Sequence, residues 1–528
     1  MRSSPAEAVS LGALCASAAA QWPEHTALSF DATGETLSFA QLEARSNQLA
    51  NALVALGLQP GDRVAVLAAN KPVFPLAWLA IMKAGACMVP VNPAYRDADA
   101  RHLLTHADVR LAIADGERAE LLRHLRADLA SLQQVLIDTP VAALQDDELE
   151  LQGLMQAQPP TPLAVDVPAD ALANVQFTSG TTGLPKGCML SHRYWTQLGR
   201  LIADELVGLG PTDVMLTAQP FSYIDPQWNV AAMLASGAQL VVLDRFSPSR
   251  FWPKVVAHGA TFFYCLGAMP ALLLAQPTSP AERAHRLRVV MCSGIPADRH
   301  VELETRFGVP WREVYGTTET GADVMVYADM AQALRGSGSI GVALPHRELR
   351  IGDDDARPVP RGQVGELLIR GTAMMDGYFR NAQATQSAFA NGWYHTGDLA
   401  TMDAQSAVRI VGRKKDMIRR SGENISAAEV ESVLEQHPAV LLAAVVALPD
   451  PLRGEEAKAF VVLRDAQTRF DPEALAAFVE SRLARFKVPR YWERRDDLPR
   501  TASERVAKHL LVSAPDGVDV HDRAACAS

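Results

Sequence analysis

The sequence has no C-x-x-C pair, no histidine at zinc-ligand spacing from any of its six cysteines, and no excess of positive charge. Cysteines scattered at 15, 87, 188, 265, 292 and 526 point to neither a disulfide framework nor a structural metal, and a reducing cytoplasm fits them best. Lys and Arg total 50 against 60 Asp and Glu, a net charge of -10. That balance gives no general attraction to nucleic acid or to an anionic membrane, so an anionic ligand needs a local cluster. Long apolar runs are also missing. The longest, Val73 to Val91, carries Lys83 and Gly85 and is broken by prolines, which reads as a buried helix followed by a strand, not a membrane span. The small-residue stretch from Leu11 to Ala20 follows Glu7 with only Arg2 ahead of it, against the signal-peptide pattern. The last residues, Ala525 to Ser528, match no peroxisomal or retention address, and no internal repeat is evident.

What is present is the composition of an ordinary folded enzyme. The 528 residues are 48% hydrophobic and 21% charged, enough for about three to four domains or subdomains. Ser38 and Gln41 form an S-x-x-Q capping box ahead of Leu42, Leu49, Leu53 and Leu56 at helical spacing, with Gly57 as a stop. Arg63 to Ala68 reads as a short buried strand, and Cys87 to Val91 as another after an intervening helix. This trading of helix and strand predicts an α/β fold: a large N-terminal region of layered sheets flanked by helices. A Pro- and Gln-rich connection spans Leu151 to Asp170, and a basic joint at Gly412 to Arg420 precedes a self-contained pattern of strand and helix to about Pro515, a small α+β C-terminal domain.

One loop concentrates chemistry. Phe177-Thr178-Ser179-Gly180-Thr181-Thr182-Gly183-Leu184-Pro185-Lys186-Gly187 packs glycines, hydroxyls and one lysine together. Such a loop presents backbone N–H groups, hydroxyl donors and a cation to phosphate oxygens. It is not a Walker A loop, because Lys186 sits between Pro185 and Gly187. A plain polar hairpin loop would explain the Gly and Thr residues but not the Pro-Lys-Gly ending.

With this loop the chain resembles the adenylate-forming enzymes, which include acyl-CoA synthetases, firefly luciferase and nonribosomal adenylation domains. Tyr315-Gly316-Thr317-Thr318-Glu319-Thr320 looks like their second nucleotide motif and Tyr394-His395-Thr396-Gly397-Asp398 like the third. Gly412-Arg413-Lys414-Lys415-Asp416 with Ser421-Gly422-Glu423-Asn424-Ile425 looks like their hinge and the start of the C-terminal domain. The resemblance implies an AMP-binding and acyl-pocket domain over residues 1–411 and a C-terminal domain over 412–528 that pivots near Lys415.

The resemblance also implies roles. Lys186 and its loop would close over the β- and γ-phosphates of ATP, Glu319 would bind Mg²⁺, and Thr317 and Thr318 would add hydroxyls. Tyr315 would face adenine and Asp398 with Arg413 the ribose, Gly294 would belong to the cofactor site from the specificity strip Ser293 to Pro296, and Gly422 would leave room for the pantetheine arm of CoA. The reaction implied is activation of a carboxylic acid to an acyl-adenylate with release of pyrophosphate, then transfer to CoA. The family's late Pro-x-x-x-x-Gly-Lys appears here as Pro499 to Arg505, with Glu504 for glycine and Arg505 for lysine. Arginine keeps the charge but brings a planar fork to a tight site. Lys508 is a weaker candidate for the same work.

For the acid, Tyr223 matches an aromatic gate between acyl pocket and CoA tunnel that is usually His, and Phe246 to Trp252 is similar to the branch containing crotonobetaine/carnitine-CoA ligase. Asp225, Tyr223 and Trp228 would receive a quaternary ammonium by charge and cation-π contact. The plainer reading is that Asp225 caps a helix beginning at Pro226 and Trp228 packs in the core. The expected function is therefore an AMP-forming acid-CoA ligase using ATP, Mg²⁺ and CoA on a small or medium polar acid, with no nucleic-acid partner and no membrane span. Transfer to a carrier-protein thiol and non-catalytic nucleotide binding are the rivals.

Overall fold

The computed structural model describes residues 9–178, 185–267, 269–420, 423–450, 453–465, 467–500, 506–513 and 520–523, leaving aside the side chains at 415, 419, 423, 424, 454, 509, 512 and 513. Alternating short β-branched runs and amphipathic helices build three sheets. A 7-stranded sheet runs from Glu148–Glu150 at one edge, through Arg63–Leu67 and Cys87–Pro90, to the hairpin Leu172–Thr178 and Lys186–Ser191 at the other. Its strands are parallel until that hairpin. A 13-stranded sheet contains a parallel half, from Thr26–Phe30 to Trp311–Thr317, and an antiparallel half that includes Gly321–Met325, Tyr394–Met402 and Val408–Arg413.

One hydrophobic cluster joins both sheets through the helices between them. The helix Val73–Lys83 is buried at every position from Val73 to Met82, as an all-apolar helix must be when covered on all sides. Trp78 meets Trp195 edge-to-face with centroids 4.8 Å apart. The capping box predicted at Ser38 and Gln41 is formed, and it opens the helix Phe39–Ala55. Among the described residues no helix is long and apolar enough to cross a membrane.

The smaller body has its own 6-stranded sheet, which includes Met417–Arg420, Glu423–Ser426 and the long pair Val440–Asp450 and Gly454–Leu463. Helices Ala427–Glu435 and Pro472–Glu480 close one face over a separate core. Val408–Arg413 still pairs in the large sheet while Met417–Arg420 pairs in the small one, which places the joint at the turn Lys414–Asp416.

Candidate active site

The strand Trp311–Thr317 turns sharply and returns as Gly321–Met325. Gly316 permits the turn, because a Cβ there would lie 1.9 Å from the carbonyl oxygen of Gly321. Three strands beyond Gly321–Met325 in the antiparallel half, Asp398 stands opposite Arg413 in register. Arg413 Nε lies 2.7 Å from Asp398 Oδ1, and the Tyr315 hydroxyl donates to Asp398 Oδ2 at 2.6 Å. Burial first, then the Asp398 charge, hold the Tyr315 hydroxyl well above its usual range, so it remains a donor. The result is a fixed carboxylate with lone pairs left to accept from a pair of hydroxyls.

Glu319 leaves this turn beside a residue that the sequence did not single out. The Tyr378 hydroxyl donates to Glu319 Oε1 at 3.1 Å, and Lys186 Nζ lies over the Tyr378 ring, 5.2 Å from its centroid. The backbone makes this meeting obligatory: Phe379 N–H donates to Gly187 O at 2.7 Å, Met189 N–H to Gly377 O at 2.9 Å, and Met375 N–H to Glu319 O at 2.7 Å. Lys186 and Glu319 thus approach one aromatic ring from separate sheets. Thr178 Oγ1 contacts Cys188 Sγ at 3.9 Å, and the Thr318 carbonyl accepts from the Tyr194 hydroxyl at 3.1 Å. Ser179, Gly180, Thr181, Thr182, Gly183, Gly422 and Arg505 lie outside the described residues, as does the Lys415 side chain.

Gly294 has φ +97°, a conformation that favours glycine. The buried Glu313 carboxylate accepts from Gly294 N–H at 2.6 Å and Ile295 N–H at 2.8 Å, tying this strip to the strand that carries Tyr315. Burial pushes the Glu313 carboxyl up to about 8, against the pull of those two amides. Glu366 does the equivalent for the Asp398 strand, meeting Gly397 N–H at 3.0 Å and His395 Nδ1 at 3.1 Å. Neither glutamate belongs to a recognisable motif, so only the tertiary structure exposes its work.

In the basic joint, three of the cations are paired with carboxylates. Arg413 is held by Asp398, Lys414 by Asp354 at 2.7 Å and Glu366 at 3.3 Å, and Arg420 by the buried Glu456 at 2.7 Å. Carboxylates on nearby strands and, at Asp354, on a turn thus offset these charges. Lys508 is likewise engaged, 2.7 Å from Glu431 and 3.9 Å from Asp416.

On the acyl side, the helix Ile224–Ser236 begins one residue after Tyr223, which is its N-cap. Asp225 therefore lies in the first turn and does not cap a helix at Pro226. Tyr223 OH accepts from Asn92 Nδ2 at 2.6 Å, while Gln227 Nε2 donates to the carbonyls of Phe221 and Tyr223 at 2.9 and 3.0 Å. Trp228 is 8% exposed, packs in the main core, and donates from Nε1 to Tyr194 OH at 3.1 Å. Its indole packs in that core, the second of the two readings that the sequence left open.

Comparison with known proteins identifies relatives of the chain. Residues 15–379 match a family model described as AMP-binding enzyme, and residues 429–505 one described as AMP-binding enzyme C-terminal domain. The chain is 34% identical over 500 residues to crotonobetaine/carnitine–CoA ligase of Escherichia coli, covering 92% of this chain and 95% of that protein. ATP-bound MatB from Rhodopseudomonas palustris superposes with a TM-score of 0.84 at 29% identity, covering 94% of this chain and 98% of that one. The o-succinylbenzoate CoA synthetase of Bacillus subtilis, solved with its acyl-adenylate intermediate, gives a TM-score of 0.82 at 27% identity over 96% and 98%.

Proposed function

We infer the acid and the roles of the residues from one premise: the chain belongs to the AMP-binding enzyme family and is an AMP-forming acid–thiol ligase that uses ATP and CoA. The observation that carries the roles is the Tyr315–Asp398–Arg413 arrangement beside the Lys186–Tyr378–Glu319 cluster. A carboxylate is a poor acyl donor, because its leaving group would be oxide. It therefore attacks the α-phosphate of ATP, the bond to the β-phosphate oxygen breaks, and pyrophosphate leaves.

In this reading Asp398 accepts from the ribose hydroxyls, and Tyr315 both orients that carboxylate and offers its ring to adenine. Gly294 lets backbone approach the base. Lys186 places its ammonium against the phosphates, stabilising the charge that moves onto pyrophosphate. Glu319 suits a hard cation: it is a carboxylate, and no group of three metal-ligating side chains is found among the described residues, so phosphate oxygens would complete the sphere. Mg²⁺ bound there would supply charge stabilisation to the same phosphates. Arg505 supplies the late cation toward the acid and α-phosphate. The smaller domain then turns about Lys415, a thiolate attacks the acyl carbon, and AMP departs with the mixed-anhydride bond broken.

The acid proposed is small or medium and polar, of the carnitine or crotonobetaine kind. Its support is the 34% identity to a crotonobetaine/carnitine–CoA ligase, with Tyr223 as the expected gate and Asp225 in the first turn of the helix that follows it. The test is competition among betaines, short and medium aliphatic acids and aryl acids, with ATP, Mg²⁺ and CoA, reading thioesters by mass. One dominant polar acyl-CoA with matching AMP is expected. A dominant aryl or long aliphatic thioester would overturn the substrate assignment. AMP without any thioester would favour a carrier-protein thiol as the acceptor.

A further inference from the structure

We propose that Arg347 is a positioning residue of the adenylation centre, acting with Asp323 to hold the turn that bears Glu319 and the segment that leads to Tyr378 in one fixed relation. This rests on the ligase reading above and extends it to a residue outside every motif.

Arg347 opens the strand Arg347–Gly352, and Asp323 lies in Gly321–Met325. Both side chains are fully buried, with Arg347 Nε 2.5 Å from Asp323 Oδ1. The rest of the guanidinium reaches two separate backbones. Nη2 donates to the Thr320 carbonyl and, at 3.3 Å, to the Ala373 carbonyl, while Nη1 donates to the Thr372 carbonyl. Asp323 Oδ2 in turn accepts from Thr320 Oγ1, which faces Thr317 Oγ1 at 2.9 Å.

Thr320 follows Glu319 directly. Thr372 and Ala373 lead to Met375, whose N–H donates to the Glu319 carbonyl, and to Tyr378, whose hydroxyl donates to the Glu319 carboxylate. Ala373 has φ +54°, a region that an alanine seldom occupies unless its surroundings impose it. The guanidinium therefore sits where the two segments meeting at Glu319 diverge, and it bonds the carbonyls of both.

A buried ion pair alone is weak evidence of anything beyond packing, since apolar residues of similar volume often replace one without loss. What packing does not require is a planar fork spread over three carbonyls of two chain segments. Lysine, a point charge, cannot reproduce that spread.

The test compares wild type, Arg347→Lys, and the double variant Asp323→Asn/Arg347→Met, which leaves no unpaired buried charge. Circular dichroism and urea unfolding establish that each is folded. Calorimetry then measures ATP affinity with Mg²⁺ and with EDTA. With Asp398, Tyr315 and Arg413 unchanged, we expect affinity in EDTA to stay within about threefold, while the extra affinity conferred by Mg²⁺ falls about tenfold in both variants. With the acid selected by competition, kcat for pyrophosphate release should fall about a hundredfold with little change in KM for the acid.

A folded double variant whose Mg²⁺-dependent affinity and kcat match wild type would overturn the proposal, leaving the pair structural. So would full rescue by lysine, which would make the charge sufficient without the fork. Should either variant not fold, Thr320→Val, which removes the hydroxyl links to Asp323 and to Thr317 and leaves the guanidinium in place, is to reproduce the Mg²⁺ effect in milder form; its absence there would likewise overturn the idea. Wild type that binds MgATP yet makes neither AMP nor thioester would sink the ligase reading instead, and the binding comparison would still decide the part played by Arg347.

Discussion

Tyr315 donates its hydroxyl to Asp398 Oδ2 at 2.6 Å while Arg413 lies 2.7 Å from the other oxygen, so an almost fully buried carboxylate is oriented from both sides. The strand register that sets Asp398 opposite Arg413 and the turn at Gly316 that delivers Tyr315 are independent features of the chain. Their convergence makes the carboxylate a rigid acceptor for ligand hydroxyls.

Removing the Asp398 charge should therefore act on ATP. For Asp398→Asn we expect kcat/KM for ATP to fall about 10- to 100-fold, corresponding to about 1.5–3 kcal/mol for a hydrogen bond to a charged group. Tyr315→Phe, which leaves the carboxylate held by Arg413, should lose less, about fivefold. Initial rates of AMP formation with ATP varied give both values, and equal effects of the two variants would contradict the division of labour.

Glu319→Gln keeps the shape and an acceptor for Tyr378 but removes the charge. Pyrophosphate release should fall about a hundredfold or more, with the Mg²⁺ concentration for half-maximal rate raised. Tyr378→Phe, losing one 3.1 Å hydrogen bond, should cost only about three- to tenfold. A Mg²⁺ titration of each variant separates loss of the carboxylate from loss of its orientation.

The contrast between Glu319 and Tyr378 marks what a sequence carries. Local signals were legible: the Ser38–Gln41 capping box, the strands after Arg63 and Cys87, and motifs whose residues are contiguous, such as Tyr315 to Glu319. Tyr378, Glu313, Glu366 and the Asp323–Arg347 pair were not, because each acts on a segment far away in the chain and sits in no recurring pattern. The same limitation left two readings of Trp228 open, cation receptor or core, which its packing beside Tyr194 separates. It also affected the basic joint, whose acidic partners Glu366 and Glu456 lie on other strands.

Glu313 predicts a pH dependence of stability. Its carboxyl is raised from 4.5 to about 8 by burial, so between those values the folded chain holds a proton that the unfolded chain has released. Its contribution is fully present below pH 4.5 and is lost as pH rises toward 8, by up to about 1.4 kcal/mol per pH unit. Glu313→Gln removes this group from the titration, so the stability advantage of wild type over the variant should shrink as pH rises through the window. Urea unfolding of both proteins across it should give diverging slopes; parallel slopes would show that Glu313 is ionised throughout.

Arg505 and Lys508 offer a direct choice between two cations. Lys508 is held by Glu431 at 2.7 Å within the smaller domain, and an ammonium so engaged is poorly placed to serve a phosphate elsewhere. Lys508→Met should leave the adenylation rate within about threefold, with a stability loss of about 1 kcal/mol or more because Glu431 loses its cation and keeps only the Val445 N–H. Arg505→Ala should lower adenylation about a hundredfold, the scale of losing a charged contact in the transition state. The reverse ranking would move the catalytic cation from Arg505 to Lys508.

Trp228 and Tyr223 separate core from specificity. Trp228 is buried, and its N–H feeds a hydroxyl that in turn donates to the Thr318 carbonyl, so Trp228→Ala should destabilise the chain by about 3–5 kcal/mol. The milder Trp228→Phe retains most of the packing and should preserve the ranking of acids. Tyr223 is only partly buried and is tethered at its hydroxyl by Asn92; Tyr223→Phe frees the ring, and Tyr223→Ala opens the space behind it. The Tyr223 variants should alter the ranking of acids or the KM for CoA at near-normal stability. Competition profiles for the four variants, set beside their unfolding curves, test this: a changed acid order in Trp228→Phe would return the indole to the substrate pocket.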